Sequence, residues 1–251
     1  MEKFTQRRAF GTVLHIRDYD RLKESVEDVD NVVTHHKYLD DAEEDVKYEA
    51  KQLSMDSTIL SSIVGKYPHH FPHPIYKMNE LYVSAIGSQG SDMVFETPHI
   101  DGLFAWLPGC HVLRCIVALQ GNESIYTSFM YPDETYVLTT GTFLAFDYNR
   151  DIHYIWKKQG VDDPSKRIIM KLHYLMAPKW MSQSVVDMYR DIHSNYNAGL
   201  RRLFLKSQTP DSLGSAAISF MINGCTKLYV WVFVGFMWLF ARIQVVMEVF
   251  R

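Results

Sequence analysis

Between residues 81 and 174 the chain reads as a series of short runs rich in Val, Ile, Tyr, Phe and Thr, at 81–86, 112–119, 124–130, 135–138, 142–146 and 167–174. Such residues fit a pleated, half-buried surface. Gln120-Gly121-Asn122 and Thr140-Gly141 are natural turn positions between them. Strands this short and this closely spaced predict a sandwich, barrel or jelly roll. No internal repeat is visible.

The flanks have a different texture. Residues 40–64 are rich in Glu, Asp, Lys, Ala and Leu, with Val46, Ala50, Leu53, Ile59, Leu60 and Ile63 spaced to lay one helical face on a core, and Gly65 and Pro68 stop the pattern. Three prolines between Tyr67 and Pro74 argue against a regular helix or central strand, so this stretch is expected to be a linker or ordered loop. Residues 184–204 again carry helical spacing, ended by Pro210 and Gly214. The expected organisation is a helical N-terminal region (1–75), a β core (76–180), a helix and linker (181–212) and an apolar tail (213–251).

Within the β region, Glu96-Thr97-Pro98-His99-Ile100-Asp101-Gly102 places an imidazole and a carboxylate two residues apart. In an extended segment side chains repeat with period two, so His99 and Asp101 share a face and can grip one metal ion. The candidate third ligand is His153, which follows a strand-like run. Two histidines and a carboxylate suit non-haem ferrous iron and leave three coordination positions open. The alternative is a jelly roll that binds no metal, with both histidines as satisfied core or loop residues. His35, His36, His69, His70 and His73 raise the question of a zinc site, but no cysteine accompanies them.

Fourteen residues after His153, Arg167 opens a strand in which Arg167, Ile169, Lys171 and His173 share one face and Ile168, Met170 and Leu172 the other. An interior row of cations is costly unless it faces an anion, which a bound dicarboxylate supplies. Alternatively the polar face is simply solvated, as on an antiparallel edge strand.

Taken together, Pro98-His99-Ile100-Asp101, Val112-Leu113-Arg114, the run from Gly141 to Asp147 leading to His153 and Trp156, and the run from Arg167 to His173 resemble the double-stranded β-helix core of the Fe(II)- and 2-oxoglutarate-dependent oxygenases. The resemblance runs from about residue 82 to 180 and is nearest to the aspartyl/asparaginyl β-hydroxylase branch. It implies a cupin-like jelly roll in which His99, Asp101 and His153 hold Fe(II), with 2-oxoglutarate and O2 as co-substrates. Arg167 would bind the far carboxylate of 2-oxoglutarate, with Arg114 or Lys171 in reserve, and Tyr82 and Ser84 would add a hydroxyl. Phe104, Trp106 and Trp156 would wall the pocket. The implied reaction is hydroxylation of a protein side chain, or of a membrane-proximal small molecule or lipid. Asp101 departs from the branch, which has a glycine there, so the branch's own substrate does not carry over. The competing reading is a non-catalytic, membrane-associated scaffold.

A net charge of -3 gives no reason to expect nucleic acid as a partner. Cys110, Cys115 and Cys225 form no CxxC pair, which points to a reducing compartment. The charged start of the chain shows no apolar signal-peptide region. Residues 228–241 carry no charge and, with Trp231, Trp238 and Tyr229 as an interfacial belt, suggest a single-pass C-terminal membrane anchor with the catalytic domain facing the cytosol. A hairpin turning at Lys227, or a buried or oligomer-forming helix, are the alternatives.

Overall fold

The computed structural model describes residues 9–10, 19–29, 35–39, 42–84, 98–102, 109–130, 133–158, 160 and 165–208, with side chains to residue 200. Residues up to Asn197 form one compact unit, and Ala198 onward a second, of which only helical residues 198–208 are described.

The first unit is built on β9 (Arg167–Pro178), a strand with neighbours along both edges. On one edge lies β4 (His111–Gln120), which in turn pairs with β7 (Phe143–Asp147). The other edge is shared: β3 (Glu80–Ser84) pairs with residues 167–171 and β2 (His70–Pro74) with residues 174–178, while β1 (His35–Tyr38) extends the sheet beyond β3. A smaller sheet holds β6 (Asp133–Val137), β5 (Ile125–Met130) and β8 (His153–Lys157), with β5 in the middle. Every pairing is antiparallel.

Period two along β9 divides its side chains between two cores. Ile168, Met170, Leu172, Tyr174 and Met176 join Leu113, Cys115, Val117 and Leu119 of β4 in a cluster with Leu22, Val46, Ala50, Leu53, Ile59 and Ile63. The last six lie on α1 (Asp20–Glu24), α2 (Glu44–Ser54) and α3 (Ser57–Lys66), so the helices cover the outer face of the large sheet. On the inner face Tyr82, Ile116, Ala118, Leu144, Phe146 and Ile169 cluster with Phe129 of β5, which brings the two sheets face to face as a jelly-roll sandwich. The helix α4 (Gln183–Gln208) closes the described chain.

Several expectations need correction. Residues 1–75 are not purely helical, because β1 and β2 belong to the large sheet. The proline-rich stretch forms a strand because β2 has a partner along one edge only, where Pro72 and Pro74 need supply no second ladder of donors. The helical pattern over 40–64 is broken at Asp56, whose Oδ1 accepts from the N–H groups of Thr58 (2.8 Å) and Ile59 (3.2 Å) and starts a separate helix. Among the described residues no helix is long and apolar enough to cross a membrane, so the expected single-pass anchor and the cytosol-facing orientation built on it are not supported. Residues 209–251, including the apolar tail, lie outside the described residues.

Asn79 ties the helices to the sheet. Its Nδ2 donates to Ser54 Oγ at 3.0 Å, its Oδ1 accepts from His173 N at 3.0 Å, and all of this is buried. Tyr174 Oη adds a bond to Ser54 O at 3.0 Å. Asn79→Ala leaves a buried backbone N–H without its acceptor, so we expect a loss of about 2 kcal/mol in urea unfolding. A loss under about 0.5 kcal/mol would show that this tie does not stabilise the fold.

Candidate metal and anion site

His153 is the first residue of β8, and its N–H and C=O exchange hydrogen bonds of 3.0 Å with those of His99. This two-way bridge puts both imidazoles on the inner face, with ring centroids 4.5 Å apart. Asp101, two residues on, follows them inward: its Oδ2 lies 3.3 Å from His153 Nε2 and its Oδ1 3.7 Å from His99 Nε2. One ligand atom from each of the three side chains falls within 4.8 Å of the others, and among the described residues no other such trio forms. Metal–ligand bonds of about 2.0–2.2 Å place neighbouring ligands roughly 3 Å apart, so a cation needs only small adjustments here.

Local sequence explains the placement. The turn between β7 and β8 is braced by Asp147, which accepts from Asn149 N at 3.1 Å, and by Asp151, whose Oδ2 accepts from Asp147 N at 2.7 Å. The carbonyl of Asp151 lies 3.1 Å from His153 Nδ1, which assigns the proton to Nδ1 and leaves the Nε2 lone pair for a metal. After Asp101 the chain passes so close to Tyr148 and Asn149 that a Cβ at Gly102 would lie 2.4 Å from both side chains. Its N–H bonds Tyr148 O at 3.0 Å, and only glycine permits that approach.

Behind the trio lies a buried ionic chain. Arg114 Nη1 is ion-paired with Asp101 Oδ2 at 2.7 Å, Nε donates to His173 Nε2 at 3.0 Å, and Nη2 lies 3.8 Å from Glu80 Oε1. Its guanidinium also sits 4.7 Å from the centre of the Tyr148 ring, whose hydroxyl bonds Asn197 at 3.0 Å. Glu80 Oε1 is 2.9 Å from Lys171 Nζ, and Oε2 is 3.4 Å from His36 Nδ1. Lys171 in turn lies 4.1 Å over the Tyr82 ring.

Burial alone would raise the carboxyls of Asp101 and Glu80. For Asp101 chiefly the charge of Arg114 outweighs it, and for Glu80 the charge of Lys171 and the bond from His36, so both are held well below the usual carboxylate range. Burial lowers His153 despite the nearby Asp101, and burial with Arg114 drives His173 well below its usual value. Both imidazoles are therefore neutral near pH 7, as a metal ligand and a hydrogen-bond acceptor must be.

Arg167 stands apart. It is 0 % exposed, and burial lowers its pKa to about 10. Only Nη2 has a bond, to Thr127 Oγ1 on β5 at 2.9 Å; Nε and Nη1 find no partner among the described residues. Opposite it in the ladder, Ser84 Oγ is buried and equally unpartnered. Five donors on one guanidinium with a single acceptor, beside an idle hydroxyl, form a cradle for an anion.

The structure thus brings His99, Asp101 and His153 together and puts Arg114, Lys171, Tyr82, Ser84 and Arg167 on the same inner face. Arg114, expected as a reserve for a co-substrate, faces Asp101 and Glu80, and Lys171, the other reserve, faces Glu80. Trp156 is not a pocket wall: it stacks on Tyr126 with centroids 4.7 Å apart and donates to Ser128 Oγ, on the outer face of the small sheet. Phe104 and Trp106 lie outside the described residues. Glu80 and Thr127 were not singled out in the sequence. A signal existed for each, since Glu80 shares the period-two face of Tyr82 and Ser84, and Thr127 interrupts the apolar row Ile125, Phe129.

No protein-family model matches the chain, and no curated protein does. Among solved structures, it is similar to the viral collagen prolyl hydroxylase vCPH from Paramecium Bursaria Chlorella virus-1 in its 2OG complex, at 13 % identity over 69 % of this chain and 98 % of that one, with a TM-score of 0.47. It is similar to the non-heme alpha ketoglutarate dependent carbocyclase SnoK from nogalamycin biosynthesis at 10 % identity, 74 % and 88 % coverage and a TM-score of 0.47. A third is a Pseudomonas putida prolyl-4-hydroxylase, at 9 % identity, 70 % and 96 % coverage and a TM-score of 0.41. Likeness this distant does not decide the chemistry, which rests on the chain's own residues.

The depressed carboxyl of Glu80 has a testable sign. Its stabilising effect is fully present above the ordinary glutamate value of about 4.3 and is lost as pH falls towards the folded-state value. We expect Glu80→Gln to lose about 3 kcal/mol at pH 7, because Lys171 and Arg114 lose their shared counter-charge. The gap to wild type should narrow as urea midpoints are followed from pH 6 down to pH 3. A gap independent of pH would contradict the assignment.

Proposed function

We propose that this chain is an Fe(II)- and 2-oxoglutarate-dependent dioxygenase that hydroxylates a C–H bond of a protein side chain or a small molecule. His99, Asp101 and His153 hold the iron, and Arg167, with Thr127 and Ser84, receives the far carboxylate of 2-oxoglutarate. The observation that carries this reading is Arg167, a buried guanidinium two of whose nitrogens have no partner among the described residues. A scaffold with no ligand gives no account of it, because an unanswered buried charge destabilises the fold that contains it.

Each residue has a definable task. The imidazoles of His99 and His153 and the carboxylate of Asp101 supply two nitrogen donors and one oxygen donor, a set that suits ferrous iron. Asp151 keeps the His153 tautomer with Nε2 open, and Phe146 and Phe129 pack 4.7 and 5.9 Å from its ring, holding it and limiting water beside it. Thr127 fixes one end of the Arg167 guanidinium, so the free edge keeps one orientation for a carboxylate. When bound, iron with 2-oxoglutarate supplies oxidative decarboxylation of the co-substrate by O2, giving succinate and CO2 and leaving one oxygen atom for the substrate. Asp101 separates this site from the aspartyl/asparaginyl β-hydroxylase pattern, so the substrate is proposed by class only.

The test separates function from architecture. Arg167→Met should weaken anaerobic 2-oxoglutarate binding by about 2–5 kcal/mol in calorimetry while Fe(II) binding persists. Because the charge it removes lacks an acceptor for most of its donors, the unliganded variant should be at least as stable as wild type. His99→Ala should lose iron with the fold intact. Undiminished 2-oxoglutarate affinity in Arg167→Met, or a large loss of unliganded stability, would assign Arg167 to the fold instead.

A further inference from the structure

Between α2 and the short 3-10 turn Tyr76–Met78 lies a pocket of about 310 Å³. Helical spacing explains its shape. Lys47, Ala50 and Lys51 stand three and four residues apart on α2 and share one face, where the small Ala50 leaves room beside two long side chains. Leu39 and Ala50, both part of the outer core, join the Tyr76 ring in making the walls mainly apolar. Asn79 also lines the pocket, but its amide is spent on Ser54 and on the backbone N–H of His173. The pocket thus belongs to the helix-covered outer side of the large sheet, apart from the trio and Arg167 on the inner face.

Charge decides what it suits. Lys47, Lys51 and Lys77 line it, and no acidic residue does. Lys47 is answered by Glu44 at 2.9 Å. Lys51 and Lys77 have no ion-pair partner among the described residues, and Lys51 Nζ stands 5.7 Å from the centre of the Tyr76 ring. We propose that this pocket binds a small aromatic carboxylate, with its rings against Leu39, Ala50 and Tyr76 and its charge at Lys51 and Lys77. The volume fits, since an apolar cavity of about 150 Å³ takes benzene and twice that holds a two-ring acid. A single exposed ion pair is weak, so the apolar contact is needed as well as the charge. An aliphatic dicarboxylate such as 2-oxoglutarate offers no ring and would press a second charge on an apolar wall, which makes it a poor ligand here.

The test uses the full, metal-free chain and 2-naphthoate, whose own fluorescence reports binding. Saturable one-to-one binding is expected, undisturbed by 2-oxoglutarate and retained in Arg167→Met. Intermolecular NOEs should connect the naphthyl protons with the Ala50 methyl and the Tyr76 ring. The neutral 2-naphthalenemethanol, with the same rings, should bind about tenfold or more weaker, and the affinity for 2-naphthoate should fall as salt is raised. Lys51→Glu combined with Lys77→Glu should weaken 2-naphthoate by about tenfold or more. Lys66→Glu combined with Lys179→Glu, the same change of charge at exposed lysines elsewhere, should leave it unchanged. No saturable binding at millimolar concentration, NOEs to other residues only, or equal effects of the two double variants would overturn the proposal. Displacement by 2-oxoglutarate would overturn it too, by moving the ligand to the Arg167 cradle. If the Lys51 and Lys77 variant yields no folded protein, the NOEs and the neutral alcohol decide on the wild type. Neither iron nor Arg167 enters this binding, so its failure leaves the oxygenase reading standing, and failure of that reading leaves this pocket.

Discussion

Three cations, Arg114, Lys171 and Arg167, are buried between the sheets of this jelly roll, and the architecture of the inner face follows from how each is answered. An isolated charge in such a place costs several kcal/mol after relaxation, and a paired one is tolerable only with good geometry. Glu80 answers Lys171 and shares Arg114, and Asp101 takes the rest of Arg114. Among the described residues Arg167 has a hydroxyl for a partner and no carboxylate. The imbalance is local and directional: two pairs lie beside His99 and His153, and the surplus cation lies at the start of β9, facing β5. The dicarboxylate of the proposed function would supply the missing counter-charge.

The same strand explains why the site is rigid. β9 is covered by helices on one face and by the small sheet on the other, so its alternating side chains have no freedom to choose solvent. Its polar row is interior because β9 is central, paired along both edges. The trio is then attached to this frame at two points, through the backbone bridge of His99 to His153 and through Arg114 to Asp101. The first fixes the two imidazoles and the second the carboxylate, and they come from different sheets.

How much of this was legible in the sequence varies with the range of the interaction. The period-two split of β9 and the pairing of His99 with Asp101 on one face are local and could be read directly. That the polar row of β9 points inwards could not, because it depends on strands far along the chain; an edge position would have put it in water. β2 and β8 escaped notice for related reasons. Prolines mask β2, which tolerates them as an edge strand, and β8 begins at a histidine straight after a polar turn and ends within five residues. Asp56 did announce its helix start, since Asp-Ser-Thr is a capping sequence, yet the continuous apolar spacing across 46–63 concealed the break. Arg114 illustrates the limit best. Its position on a strand near the site was readable, but its partner, a carboxylate of this chain and not of a co-substrate, is set by the approach of the loop ending at Gly102. Trp156 was misplaced by the same kind of ignorance, for a single residue of register decides which face of β8 it occupies.

The central claim is that the trio and Arg167 form one site, occupied jointly by a metal and a 2-oxo dicarboxylate. The most direct measurement is an anaerobic titration of the Fe(II)-loaded protein with 2-oxoglutarate, followed in the visible region. A ferrous ion chelated by a 2-oxo acid gives a weak metal-to-ligand absorption band. The account predicts that this band grows to saturation and that succinate, whose far carboxylate is alike but which cannot chelate in this way, displaces it only at high concentration. Absence of the band in folded, iron-loaded protein would contradict it.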